Sequence, residues 1–113
     1  EGQNFNIEGD RDKIKIALRN IFINAIEAIG DKGAIEVKAS EEKQGISLEI
    51  KDNGIGMERE VLERVFEPYF STKDSGTGLG LPIAKKIIED HEGSIQVSSR
   101  KNKGTKISIY LPK

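Results

Sequence analysis

Four short stretches of this sequence hold residue types that can do chemistry. Asn20 and Asn24 stand four residues apart in a helical pattern and therefore share one face. Two amide oxygens stacked one turn apart suit a hard cation such as Mg²⁺, which takes oxygen ligands, keeps several waters and shares phosphate oxygens. The apolar stripe of that helix lies largely elsewhere, so the polar face is either simply solvated or a ligand site. The second stretch, Asp52-Asn53-Gly54-Ile55-Gly56-Met57, follows directly on a strand pattern. A carboxylate ending a strand can accept a hydrogen bond from an exocyclic amine, a charge-assisted bond of about 1.5–3 kcal/mol. The two glycines would let a ligand approach the backbone. The same residue types also close ordinary turns, and that alternative stays open here.

The third stretch is Gly76-Thr77-Gly78-Leu79-Gly80-Leu81, which opens a helix. Free N–H groups at a helix start attract phosphate, and glycines admit the anion. It is not a dinucleotide fingerprint, because polar, irregular residues 71–75 precede it where a strand is required. It is not a P-loop either, since no Gly-Lys-Ser/Thr follows. A plain glycine-rich helix lead-in is the alternative. In the fourth stretch, Val65 to Lys73, three of the six aromatic residues (Phe66, Tyr69 and Phe70) fall within five positions. Beside flexible glycines this reads as a hinged flap anchored by its rings, with Lys73 near any phosphate it covers. A small satellite core is compatible with that reading. His91, the single histidine, sits by a helix end beside Glu92-Gly93 without a paired nucleophile, and a catalytic role is rejected.

The elements that must position these residues follow from periodicity. Asn4 to Ile7 reads as a short strand. Asp10 is an N-cap for a helix running to Ile29 and stopped by Gly30, with Ile14, Ala17, Leu18, Ile21, Ala25 and Ile29 as its core stripe. Ala34–Ala39 and Ile46–Ile50 alternate apolar with polar and form a hairpin across Lys43, Gln44 and Gly45. A short charged helix covers Arg59 to Val65. Another helix starts near Leu79, shows Leu81, Ile83, Ala84, Ile87 and Ile88 on one face, and ends near His91 and Gly93. Strands Ser94–Ser98 and Lys106–Leu111 meet across a loop containing Gly104. Five of the twelve glycines lie between Gly54 and Gly80, which concentrates special backbone conformations in the middle of the chain. The order predicts an α+β fold of two layers, one mostly antiparallel sheet with helices on one face.

Composition bounds the function. The 113 residues fit one domain, spanning 1–113. Eighteen Lys and Arg against 19 Asp and Glu give a net charge of −1, which argues against nucleic acid or an anionic membrane surface as partner. Zero Cys removes disulfides, thiol catalysis and Cys-ligated zinc and suits a reducing, cytoplasmic compartment. No apolar run approaches the ~18 residues of a membrane span, and no signal-peptide pattern opens the chain.

Taken jointly and in order, the motifs resemble the catalytic ATP-binding domain of bacterial sensor histidine kinases, within the superfamily that also holds gyrase, the heat-shock chaperone and mismatch-repair ATPases. Asn20-Ile21-Phe22-Ile23-Asn24-Ala25 looks like the N box, Asp52–Gly56 the first glycine box, Phe66–Phe70 the phenylalanine box, Gly76–Gly80 the second glycine box and Gly104-Thr105 the last glycine motif. The tract from Glu67 to Leu81 is most like the nitrogen-regulation type. The resemblance implies ATP and Mg²⁺ as ligands. Asn24, helped by Asn20, would hold the metal, and Asp52 would bond the adenine amino group with Thr105 supporting it through water. Ile55 and Leu81 would line the base pocket beside Gly54 and Gly56. Met57 to Thr77, including Phe70 and Lys73, would form a lid, and Gly76, Thr77, Gly78, Leu79 and Gly80 would meet the phosphates. The implied fold is the superfamily's α/β sandwich (the Bergerat fold), a mixed five-stranded sheet under three helices.

Glu27 departs from the pattern. It occupies a nucleotide-facing position, three past Asn24, where these kinases often carry Lys; a carboxylate cannot hold phosphate, so more of that work falls on Lys73. The family also has a strand before the one at Asn4, and the dimerisation domain bearing the phospho-accepting His is not in this sequence, so the chain reads as a monomeric, cytoplasmic fragment of a parent for which a membrane anchor stays open. The implied partners are that dimerisation domain and a response regulator receiver domain. Two other readings remain. The hydrolases and serine kinases of the superfamily carry a Glu four residues before the metal Asn, where this sequence has Asn20, an amide that cannot act as a base. A non-catalytic interaction module would have no reason to keep Asn24, Asp52 and every motif glycine.

Overall fold

A computed structural model describes residues 11–30, 33–67 and 80–112 of the chain. Helix α1 spans Arg11–Ile29 and is stopped by Gly30, whose φ of 60° is the left-handed conformation that commonly ends helices. Strands β1 (Ile35–Glu41) and β2 (Gly45–Asp52) form the expected hairpin, closed by the Glu42 N–H donating to the Gly45 carbonyl at 2.7 Å. A single helical turn, α2 (Arg59–Leu62), precedes α3 (Gly80–Asp90), and β3 (Ser94–Arg100) and β4 (Gly104–Pro112) complete the order. The charged helix predicted to reach Val65 ends at Leu62. Its continuation is a series of tight turns in which Arg64, Val65 and Glu67 donate three residues back.

Among the described residues the sheet has four strands in the order β1-β2-β4-β3, every neighbouring pair antiparallel. This corrects the mixed five-stranded expectation. The strand expected at Asn4–Ile7 lies outside the described residues. The α+β, two-layer class stands. Helices α1 and α3 cover one face of the sheet, and the core between the layers holds Ala17 and Ile21 of α1, Leu81, Ala84 and Ile88 of α3, and Ile50, Ile95, Ile107, Ile109 and Leu111 of the strands. Ala17 and Ala84, both fully buried, are the small residues that let the two helices approach. Val65 and Phe66 join this same core rather than a separate satellite, and the Lys85 ammonium lies 4.9 Å above the Phe66 ring.

Register aligns the helix-facing side chains into rungs. Val37, Ile50, Ile107 and Val97 form one rung across all four strands, and Ala39, Leu48, Ile109 and Ile95 the next. The end rung is different: Ile35, Asp52, Thr105 and Ser99. Because side chains alternate between faces, Asp52 continues the series Leu48, Ile50, and Thr105 begins the series Ile107, Ile109, Leu111. Strands β2, β3 and β4 therefore run about two residues beyond their apolar alternation at this end, whereas β1 begins here at Ile35. The sequence-predicted bounds of those three stopped early because the pattern turns polar before the ladder stops.

Candidate functional site

The polar rung carries the site. Asp52 is 5% exposed, the one charged residue among those described that is buried. Its Oδ1 accepts the Gly54 N–H at 2.9 Å, a bond closed within its own loop. Among the described residues no protein group bonds its other oxygen, which is left to solvent. Thr105 is its cross-strand partner, and directly opposed residues on antiparallel strands hold their Cβ atoms about 4.5–5.5 Å apart on the same face. Ser99 stands on the far side of Thr105, with the two hydroxyl oxygens 2.8 Å apart.

The loop after β2 is clamped on two sides. Toward α1, the Ile55 N–H donates to the Ala28 carbonyl at 3.2 Å. Toward the β3–β4 turn, the Met57 N–H donates to Ser99 Oγ at 2.9 Å and the Asn102 N–H to the Ile55 carbonyl at 2.6 Å. Asn53 ties the loop to β1, its Oδ1 accepting the Ala34 N–H at 2.8 Å. Two glycines are required for this closeness. Gly56 has φ 68° and a Cβ there would collide with the Arg100 carbonyl; Gly104 has φ 94° and a Cβ would strike the Asp52 carbonyl.

Asn20 and Asn24 lie half-buried on α1. Asn24 is one turn before Ala28, so the two amides sit about 6 and 12 Å along the axis from the carbonyl that touches the loop. Asn20 also faces the start of α3, since a Cβ on Gly80 would lie 3.9 Å from its own. Two neutral amide oxygens are a sparse donor set, and among the described residues no cluster of three His, Cys, Asp or Glu could supply a metal cage. Such a set fits Mg²⁺ held mainly by phosphate oxygens and water. The arrangement puts an acceptor-lined niche at one pole and the amide face of α1 at the other.

A profile of the family described as histidine kinase-, DNA gyrase B-, and HSP90-like ATPases matches residues 9–113. The chain belongs to this family. Sensor histidine kinase ZraS of Escherichia coli O157:H7 is 44% identical over 106 residues, covering 94% of the chain and 23% of that protein. Sporulation kinase A of Bacillus subtilis is 38% identical over 113 residues, covering all of the chain and 19% of that protein. The chain thus spans about a fifth to a quarter of the length of these curated relatives. Among solved structures, the catalytic domain of histidine kinase ThkA superposes with a TM-score of 0.83 at 40% identity, covering 95% of the chain and 70% of that domain. The mycobacterial sensor histidine kinase MprB gives 0.84 at 30% identity, covering 94% and 74%.

For this ATPase-family chain, the predicted site residues fall into four groups. Asp52, Gly54, Ile55, Gly56 and Thr105 are brought together around the clamped loop, and Asn20, Asn24 and Gly80 come together along α1 and the start of α3. Leu81 packs in the core and Glu27 is exposed on α1. Phe70, Lys73, Gly76, Thr77, Gly78 and Leu79 lie outside the described residues, as do residues 68–77 of the expected lid, about half of it. Beside the polar rung, a depression of about 270 Å³ is lined by Ala28, Ile29, Gly33, Asn53, Gly54, Ile55 and Asn102. Asp52 does not line it, while its loop does, and Ile55 is 62% exposed there. Sequence reasoning missed Ala28, Asn102 and above all Ser99. Its signal was present in the alternation Ile95, Val97, Ser99, a series whose third member keeps the core-facing register but is polar. His91 caps α3 rather than serving the site, its Nδ1 donating to the Ile87 carbonyl at 2.8 Å.

Proposed function

We propose that the chain binds Mg-ATP between the polar rung and the amide face of α1 and presents the γ-phosphate to a His on a dimerisation domain of a longer protein. A response regulator receiver domain would then accept the phosphoryl group. The observation that carries this reading is the buried Asp52 carboxylate, held on one oxygen by its own loop and open on the other, opposite Thr105. Its open oxygen accepts the adenine amino group. Asn24 and Asn20 would hold Mg²⁺, which when bound neutralises phosphate charge. Lys73 and the Gly76–Gly80 segment meet the phosphates, with Phe70 anchoring the cover over them. Phosphoryl transfer of this kind needs positioning and charge neutralisation more than covalent chemistry from the domain itself. The reaction runs in the cytoplasm; among the described residues no helix is long and apolar enough to cross a membrane.

Asn20 supports a transferase over a hydrolase, because an amide in that place cannot activate water. The 113-residue chain should therefore bind ATP yet turn it over very slowly. Calorimetric titration tests the reading: Asp52→Asn should weaken Mg-ATP binding about 10- to 150-fold, the loss of one hydrogen bond to a charged acceptor. Unchanged affinity in that variant would refute the site, and brisk hydrolysis by the unaltered chain would favour a gyrase-like ATPase.

A further inference from the structure

Three hydrogen bonds converge on the Ser99 hydroxyl. Ser99 Oγ lies 3.0 Å from the Gly104 carbonyl, 2.8 Å from Thr105 Oγ1 and 2.9 Å from the Met57 nitrogen. A serine hydroxyl has one proton and two lone pairs, so three bonds fill it. Two of the directions are fixed by chemistry, since a carbonyl only accepts and an N–H only donates. The Ser99 proton goes to Gly104, Met57 donates to Ser99, and the remaining contact takes the proton of Thr105. Thr105 is then left with lone pairs alone for anything bound beside it. Its cross-strand neighbour Asp52 also presents an acceptor.

We infer that Ser99 is a positioning residue that sets the hydrogen-bond polarity of the purine-recognising wall. By consuming the Thr105 proton it makes Asp52 and Thr105 a pair of acceptors, which selects a 6-aminopurine and rejects a 6-oxopurine. This rests on the reading of Asp52 as the contact to the base. An amino group at C6 donates to such a wall directly or through a water. An oxo group there meets lone pairs with lone pairs, and sites built from fixed polar groups discriminate strongly against a ligand that leaves them unpaired. The Met57 bond adds a second function, because it holds the Asp52–Met57 loop to the same hydroxyl that orients Thr105.

The test is a calorimetric comparison of Mg-ADP with Mg-IDP on the 113-residue chain and its variants Ser99→Ala, Ser99→Cys, Ser99→Thr, Ser98→Ala and Asp52→Asn, each checked by thermal melt. Ser98 is exposed on the opposite face of β3 and serves as the control. The unaltered chain should favour ADP. In Ser99→Ala the Thr105 hydroxyl regains its proton as a donor, and the ADP-to-IDP affinity ratio should fall at least tenfold. Ser99→Thr, which keeps the hydroxyl, and Ser98→Ala should hold the ratio within threefold. Should Ser99→Ala fail to fold, Ser99→Cys decides on the same ratio. Equal weakening of both nucleotides in the Ser99→Ala or Ser99→Cys chain would overturn the inference, as would a ratio that shifts as far in Ser99→Thr as in Ser99→Ala. Asp52→Asn separates the two levels. Unchanged ADP binding in that variant sinks the site itself, whereas weakened binding with an unaltered ratio in Ser99→Ala sinks only the role of Ser99.

Discussion

The middle and the polar end of the helix-facing sheet surface hold residues of similar burial that are differently used. Ile50 and Ile109 in the apolar rungs are each 2% exposed, close to the value for Asp52 in the polar rung. The isoleucines are enclosed by side chains of α1 and α3 and contribute by leaving water. Asp52 adds no apolar contact there, and among the described residues one of its oxygens has no protein partner. A carboxylate kept in a core-facing register with an oxygen left to solvent points to a ligand rather than to stability. Position along one strand therefore separates residues that hold the fold from those we propose to read a base.

Ile109→Ala breaks the comparison most severely from the structural side. Ile109 lies in the middle of the sheet and its truncation should cost about 2–5 kcal/mol of folding stability, read from chemical denaturation. Its ligand response should survive: a concentration of Mg-ADP 100 times the dissociation constant should still add about 2.7 kcal/mol. Asp52→Asn should do the reverse, folding as stably as the parent while the same nucleotide concentration adds only about 0.3–1.4 kcal/mol for a 10- to 150-fold weaker site. If Ile109→Ala abolished the ligand increment as well, the two regions would not be separable.

Next in size is the clamp that joins the polar rung to its neighbours. Gly56→Ala places a side chain at a left-handed φ of 68° and against the Arg100 carbonyl. Such backbone strain costs about 1–3 kcal/mol. The damage should appear in both readouts, lower stability and weaker nucleotide binding, since the loop carries Asp52 at one end and the bond to Ser99 at the other. A variant that loses stability alone would show that the loop need not be held tightly for the base to be read.

Much of this was legible in the sequence, for reasons that particular residues make plain. The α1 stripe from Ile14 to Ile29 and its stop at Gly30 follow from helical spacing and one glycine, and both are observed. Asp52 stood out because a carboxylate ends a strand just before two glycines that would admit a ligand. Ser99 did not, since a serine at a strand end is ordinary until register shows that it lies beside Thr105 on a core-facing rung. The four-strand order β1-β2-β4-β3 was equally hidden, because local alternation predicts strands and hairpins but not that β4 inserts between β2 and β3. Pairing between residues far apart in sequence carries no local signature, and the site is assembled by such pairing.

The smallest effect sharpens the account of the clamp. Lys101 in the β3–β4 turn and Glu58 after the loop form an ion pair at 3.3 Å, with both side chains more than half exposed. Exposed pairs contribute about 0.2–1 kcal/mol, and salt screens them. Lys101→Ala should therefore lower stability by no more than that, with the difference vanishing in 1 M salt (a Debye length of about 3 Å) and nucleotide affinity unchanged. The backbone bond from Asn102 to Ile55 and the Met57 bond to Ser99 remain in this variant, and they carry the geometry. A loss in Lys101→Ala as large as in Gly56→Ala would mean that charge, not close backbone contact, holds the loop against the turn.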